Sequence, residues 1–237
     1  MDMRLFIVQN IDSKTLTLNK EESNHISRVL RMKTNDLIHL TDGKGMLCKA
    51  KIILLANKKC KVEIISTIQD FEKREYYLHL AICPTKSNDR FEWFLEKATE
   101  IGVDEITLLI GENSERKKIN INRYQKIITT AVKQSLKAYI PKLNEPIRVK
   151  DFVLNNDFEG SKMMAHCNTQ FDRKNIKSLL QKNTPTLIMI GPEGDFSPTE
   201  IQLATQTGFF GISLSNSRLR TETAGVITSN YLSFLHL

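Results

Sequence analysis

From Tyr76 onward, short apolar runs alternate with stretches in which apolar residues recur every three or four positions. This alternation constrains the chain more than any other feature. A strand followed by an amphipathic helix, repeated, predicts a mostly parallel α/β sheet covered on both faces, because each crossover helix buries its apolar stripe against the sheet. Strands are expected at 77–83, 105–110, 162–167, 186–191 and 211–214. A helix over 89–101 places Phe91, Phe94, Leu95, Ala98 and Ile101 on one face and stops at Gly102, and a second runs over 122–138, before Pro141. Ser197-Pro198-Thr199-Glu200 sets a capping Ser, a Pro at the first helical position and Glu at the third, a strong helix start, with Gly208 closing that helix. Thr221 is expected to cap a last helix whose Val226, Ile227, Tyr231 and Phe234 face inward or toward a partner subunit.

Residues 1–70 follow a different pattern. Short apolar runs separated by turn signals, such as Asp42-Gly43-Lys44-Gly45, predict a small β-barrel. One helix interrupts it, opening at Asn19 with Glu22 as a capping box and carrying Ile26, Val29 and Leu30 at helical spacing. The charged stretch 69–75 reads as a linker, which divides the chain into domains at 1–70 and 76–237.

The formal charge is +7, and residues 1–70 carry 12 Lys and Arg against 8 Asp and Glu, while residues 71–237 carry 22 against 19. A basic excess favours a polyanionic partner, with the amino-terminal third as its place of contact. No run approaches the roughly 20 apolar residues of a membrane span, and Met1-Asp2-Met3-Arg4 lacks the layout of a secretory leader. A cytoplasmic protein without a membrane partner is expected. Cys48, Cys60, Cys83 and Cys167 are dispersed with no C-x-x-C pair, which argues against a disulfide framework and against a zinc or other metal site.

The densest chemical signal is Ile190-Gly191-Pro192-Glu193-Gly194-Asp195-Phe196-Ser197, where a buried-type strand runs into a Gly/Pro loop just before a helix cap. Ligands of open α/β sheets bind beyond the carboxyl ends of the strands, so this loop lies where a cofactor belongs. The next strand ends in a polar loop, Ser215 to Ala224, and two adjacent strand-end loops can form one pocket. Arg218 and Arg220 lie beside it, as a phosphate grip, as stabilisers of developing negative charge, or as a solvated face.

These two segments, G-P-E-G-x-F-S and L-R-T-E-T-A, resemble the small-subunit ribosomal RNA methyltransferase E family of the SPOUT superfamily. The resemblance extends to Lys86, Arg90, Glu92, Lys97, Ala98, Thr99, Glu100, Gly102 and Val103, to residues 131–135, and to His25, Val29, Leu30 and Arg31. It implies a PUA-like RNA-binding β-barrel over 1–70 and a trefoil-knotted methyltransferase domain over 76–237, acting as a homodimer. Such a knot breaks the usual rule against threaded chains and is invisible to periodicity. The implied reaction is S-adenosylmethionine-dependent methylation of uridine N3 in 16S rRNA of the small ribosomal subunit. By the same resemblance, Cys167, Ile190, Gly191, Pro192, Glu193, Gly194, Leu214, Ser215, Asn216, Leu219, Arg220 and Thr223 would hold the cofactor. Cys167 as a buried structural cysteine stands beside that assignment.

Arg220 would stabilise the uracil anion or clamp a phosphate, and Glu222 is the candidate base, or else a first-turn carboxylate favoured by the helix dipole. Arg4, His25, Arg28, Arg31, Lys86 and Arg90 are the candidate RNA contacts, although each alone is an ordinary surface charge and His25 is equally a packed, hydrogen-bonded helix residue. Two positions depart from the commonest family pattern: Asp195 stands for a second glycine and Leu214-Ser215 for L-G, so Ser215 would be strained if its φ were positive. The alternative function is a non-catalytic RNA-binding or ribosome-assembly protein on the same fold, and a dinucleotide oxidoreductase is disfavoured by the lack of G-x-G-x-x-G opening a βαβ unit.

Overall fold

The computed structural model describes residues 3–56, 59–116 and 118–237. Met1 and Asp2, half of the start that was read for a leader, lie outside the described residues. The chain forms two compact units, Met1–Lys73 with Thr129–Ile140, and Arg74–Ile128 with Pro141–Leu237.

The first unit is built on β1 (Leu5–Ile7), β2 (Thr15–Thr17), β3 (Leu37–Thr41), β4 (Leu47–Ala56) and β5 (Lys59–Ile68), in the order β1-β3-β4-β5-β2. Alternation along β4 and β5 sends Cys48, Ala50, Ile52, Cys60 and Val62 inward, where they pack with Phe6, Leu18, Ile26, Ile38 and Leu40. Helix α1 (Lys20–Asn24) opens as expected, with the Asn19 side chain accepting from the Glu22 amide at 2.8 Å. The Glu22 carboxylate, however, pairs with Lys133. The helix then widens into a π-helical turn, His25–Val29, closed by the bond from Leu30 N to His25 O at 2.9 Å. The extra residue per turn rotates Val29 out of the apolar face, leaving it 68% exposed while Ile26 stays buried, which corrects the expected face.

The second unit carries a seven-stranded sheet in the order β10-β12-β9-β11-β6-β7-β8, with every pairing parallel. Its strands are β6 (Leu78–Ile82), β7 (Glu105–Ile110), β8 (Lys142–Arg148), β9 (Ser161–Ala165), β10 (Lys174–Asn175), β11 (Thr186–Ile190) and β12 (Phe210–Ser213). All residues of β6 and β11 are buried, as the continuous apolar runs require of central parallel strands. Between them run α2 (Asn88–Ile101), α3 (Ile121–Gln134), whose residues from Thr129 onward belong to the first unit, α4 (Val149–Leu154), α5 (Pro198–Gln206) and α6 (Thr221–Leu235). Helices α4 and α5 close over a core of Leu109, Met164, Leu187, Met189 and Ile201, while α6 packs on β6, β11 and α2. No helix among the described residues is long and apolar enough to cross a membrane.

Three expectations need correction. Strand β8 was not foreseen, because Pro146 breaks its pattern; it lies at the sheet edge, where proline is tolerated, and its register with β7 shifts between Thr107 and Leu109. Helix α3 ends at Gln134, four residues early, and Leu136 adopts a left-handed φ of 58°. The buried residues of α6 are Thr221, Glu222, Ala224, Gly225, Thr228, Ser229 and Leu232, and Phe234 is 72% exposed, so only the inward half of that expectation fails and the partner-facing alternative stands.

At the amino ends of β6, β7 and β8 lies a polar cluster around the buried His79. His79 Nε2 meets Thr107 Oγ1 at 2.7 Å, and Glu105 accepts from Tyr77, from Lys142 at 2.9 Å and from Asn144 at 2.6 Å. Burial lowers the His79 pKa to about 4. Burial would raise that of Glu105, but its three hydrogen-bond donors hold it at about 2. Both groups bind protons more tightly in the unfolded chain, so both stabilise the fold at neutral pH. The His79 contribution is lost as pH falls from 6.5 toward 4, and that of Glu105 from 4.5 toward 2. At about 1.4 kcal/mol per unit, acidification through the first window removes on the order of 3 kcal/mol. Urea unfolding at pH 7 and pH 4.5 is expected to show this loss, and His79→Gln to flatten it; an unchanged pH slope in that variant would refute the assignment.

Candidate active site

Because β12, β9 and β11 are adjacent and parallel, their carboxyl ends emerge side by side, and their loops enclose a cleft of about 360 Å³. It is lined by Ala165, His166, Cys167 and Arg173 at the end of β9 and beyond it, by Ile190 to Glu193 and Asp195 at that of β11, and by Ile212 to Ser215 with Ser217 to Leu219 at that of β12. Arg220, Thr221, Glu222 and Ala224 add the start of α6, and Arg90 reaches in from α2.

Hydrogen bonds tie these segments together. Thr221 does not cap α6, a place taken by Arg220; its hydroxyl instead donates to Gly191 O at 3.0 Å. Tyr231, nearly three turns along the helix, donates to Leu214 O at 3.0 Å. The Ser197–Glu200 capping box forms as expected, and the second Glu200 oxygen accepts from the Glu112 amide at 2.9 Å. Asn113 donates to Gly194 O and Asp195 O at 3.2 and 3.1 Å. A Cβ on Gly194 would stand 3.0 Å from that of Asn113, so glycine here permits the approach of a bracing loop.

Of the residues proposed to hold a cofactor, Cys167, Ile190, Gly191, Pro192, Glu193, Leu214, Ser215, Leu219 and Arg220 line the cleft, whereas Gly194, Asn216 and Thr223 do not. Cys167 is exposed, which sets aside the buried structural alternative. Ser215 is absent from the positive-φ residues and carries no such strain; the left-handed residue of the site is Asp195, at φ 63°. Glu222 is buried, with Oε1 3.9 Å from Arg90 Nε.

Of the candidate RNA contacts, Arg90 reaches the cleft, while the Lys86 ammonium pairs with Glu115 at 2.8 Å and its amide donates to Glu193 at 2.8 Å. Arg4, His25, Arg28 and Arg31 belong to the first unit: Arg28 and Arg31 are exposed, and His25 stands edge-on to Phe6 at 6.0 Å. Two cleft residues had no sequence signal, since the 166–175 stretch has neither period nor glycine. One is Arg173, whose Nη1 donates to His166 O at 2.9 Å. The other is His166, which is buried with neither ring nitrogen paired among the described residues and whose pKa is lowered by that burial. Arg90, Arg173, Arg218 and Arg220 thus bring four guanidinium groups to one cleft.

Residues 72–233 match the RNA methyltransferase domain, and residues 18–65 match the PUA domain of RNA methyltransferases. The chain belongs to the ribosomal RNA small subunit methyltransferase E family. It is 34% identical to the member from Mesomycoplasma hyopneumoniae, over 94% of this chain and 96% of that one. A solved member from Neisseria gonorrhoeae, bound to S-adenosyl methionine, superposes with a TM-score of 0.89 at 26% identity, covering 99% of this chain and 98% of the other. A Porphyromonas gingivalis protein described as a probable rRNA-methyltransferase superposes at 0.91 with 36% identity, over 99% and 98% of the two chains. The fold is therefore that of an RNA methyltransferase with a PUA domain toward its amino terminus.

Proposed function

We propose that this protein transfers a methyl group from S-adenosylmethionine to N3 of a uridine in 16S rRNA of the small ribosomal subunit. It works in the cytoplasm as a homodimer, with residues 76–237 as a trefoil-knotted catalytic domain and residues 1–70 as the RNA-holding domain. The observation that carries this reading is the single cleft formed by three parallel strand ends and the first turn of α6, with four arginines around it.

The cleft suits the cofactor in size and chemistry. Its volume falls in the range of small-molecule sites, roughly 300–1,000 Å³. Ile190, Leu214, Leu219 and Ala224 offer apolar surface for a purine, and the loops that follow Ile190 and Ser213 bring their backbone to the cleft for its polar edge. Cys167, Pro192, Glu193, Ser215 and Arg220 would complete the holding set, together with Gly194, Asn216 and Thr223, which lie outside the observed lining. When bound, S-adenosylmethionine supplies an electrophilic methyl group on a sulfonium.

The protein's own part is to align the uracil ring and favour loss of its N3 proton. Arg220, exposed beside the cleft, places positive charge where the uracil anion develops, and the buried Glu222 is the carboxylate available to take the proton. Arg90 faces Glu222, with its Nε 3.9 Å from Oε1. Arg4, His25, Arg28 and Arg31 in the first unit, with Lys86 and Arg90 in the second, contact RNA phosphates.

The deciding experiment maps modified bases in rRNA from cells with and without this protein, then adds back purified enzyme and labelled cofactor. A single N3-methyluridine of 16S rRNA is expected to disappear and return. Loss of a different modified base would overturn the substrate, and no calorimetric binding of S-adenosylmethionine would favour the non-catalytic alternative.

A further inference from the structure

Asp195 combines two features that nothing in the proposed reaction requires. Its backbone sits at φ 63°, a region that glycine occupies freely and that costs an L-residue energy, although Asp and Asn bear it better than most. Its carboxylate accepts two backbone amides, Cys167 N at 2.7 Å through Oδ2 and Phe196 N at 2.8 Å through Oδ1. The first of these bonds crosses from the β11–α5 loop to the β9–β10 loop, and both loops line the cleft. Hydrogen bonds to an ionised acceptor are about twice as strong as neutral ones.

We infer that Asp195 is a positioning residue, a strap whose carboxylate holds the β9–β10 loop against the β11–α5 loop and so fixes the width of the cofactor cleft before ligand arrives. The assignment rests on the cleft being the S-adenosylmethionine site. A left-handed position without a strap is served best by glycine, so the carboxylate has to offset the backbone strain through what it holds. It holds Cys167, and the stretch beyond Cys167 returns as Arg173, which ties back to His166 O at 2.9 Å. Arg173 thus closes the loop on itself, and Asp195 ties its start to the β11–α5 loop. Pre-organising a binding wall improves affinity by removing the ordering cost that the ligand would otherwise meet.

The test compares the full-length wild type with Asp195→Gly and Asp195→Asn. Glycine relieves the φ strain and removes the strap, so Asp195→Gly is expected to bind S-adenosylmethionine about tenfold more weakly, with KM for RNA within twofold and Tm unchanged or higher. Asparagine tolerates the same φ and keeps an acceptor oxygen, and is expected to restore affinity to within about threefold of wild type. Affinity within twofold of wild type in Asp195→Gly, or an affinity loss that tracks a fall in Tm and KM for RNA, would overturn the proposal. Hydrogen exchange of segment 166–173 without ligand separates the strap from the cofactor reading. Faster exchange in Asp195→Gly is expected, and equal exchange overturns the strap, whereas a wild type that fails to bind S-adenosylmethionine overturns the cofactor reading and with it the positioning role.

Discussion

Arg220→Ala is expected to lower methyl transfer to rRNA by a factor on the order of 10² to 10³, the usual effect of removing one preorganised group that stabilises a developing anion. Arg220 is the N-cap of α6: its carbonyl accepts from Ala224 N at 2.8 Å, while its guanidinium makes no ion pair among the described residues. Losing an exposed, unpaired side chain should leave stability within about 0.5 kcal/mol of wild type. The effect should therefore appear in kcat, beside a smaller loss of cofactor affinity, because Arg220 also belongs to the proposed holding set. Arg220→Lys keeps a charge but loses the planar fork, so it should recover only part of the rate. Single-turnover transfer of labelled methyl to RNA, read beside calorimetric titration of the cofactor, separates these quantities. Near-normal turnover in Arg220→Ala would remove Arg220 from the mechanism and leave Arg218, Arg173 and Arg90 as the cations available at the cleft.

The place of that cleft was legible because it depends on local pattern. Period and turn residues located β9, β11 and β12 to within a residue or two, and parallel order then forces their carboxyl ends to one side. Other features depend on contacts distant in sequence. Thr221 looks like a cap until Gly191 O is found 3.0 Å from its hydroxyl, thirty residues away. Asp195 looks like a lapse from glycine until Cys167 N is seen to fill its carboxylate. Arg173 and His166 have no local signature, because a loop that turns back between parallel strands obeys no period. Strand β8 failed for the opposite reason: Pro146 is a strong local signal, and only its edge position makes it harmless.

Helix α6 links the fold to the chemistry, and Gly225 is where that link is tightest. The face that α6 turns inward is made of small residues, Ala224, Gly225, Thr228 and Ser229, which lets the helix lie close on β6 and α2. A Cβ at Gly225 would stand 2.4 Å from Phe94 Cε2, 2.5 Å from Cδ2 and 3.1 Å from Ile82 Cδ1. Phe94 and Ile82 are fully buried, so neither has room to retreat. Gly225→Ala gains about 1 kcal/mol of helix propensity but overpacks the contact, which typically costs 1–3 kcal/mol, so a modest net loss is expected. Gly225→Val adds two more methyl groups to the same space and should cost about 3 kcal/mol or more, read as a lower urea midpoint with the slope unchanged. An outward shift of α6 would also move Arg220 and Glu222 and lengthen the bond from Thr221 to Gly191, so cofactor affinity should fall together with stability. Phe94→Leu frees space at the contact, and the double variant should lose less than the sum of the two single losses. Strict additivity, or Gly225→Val at wild-type stability, would show that this contact does not set the position of α6.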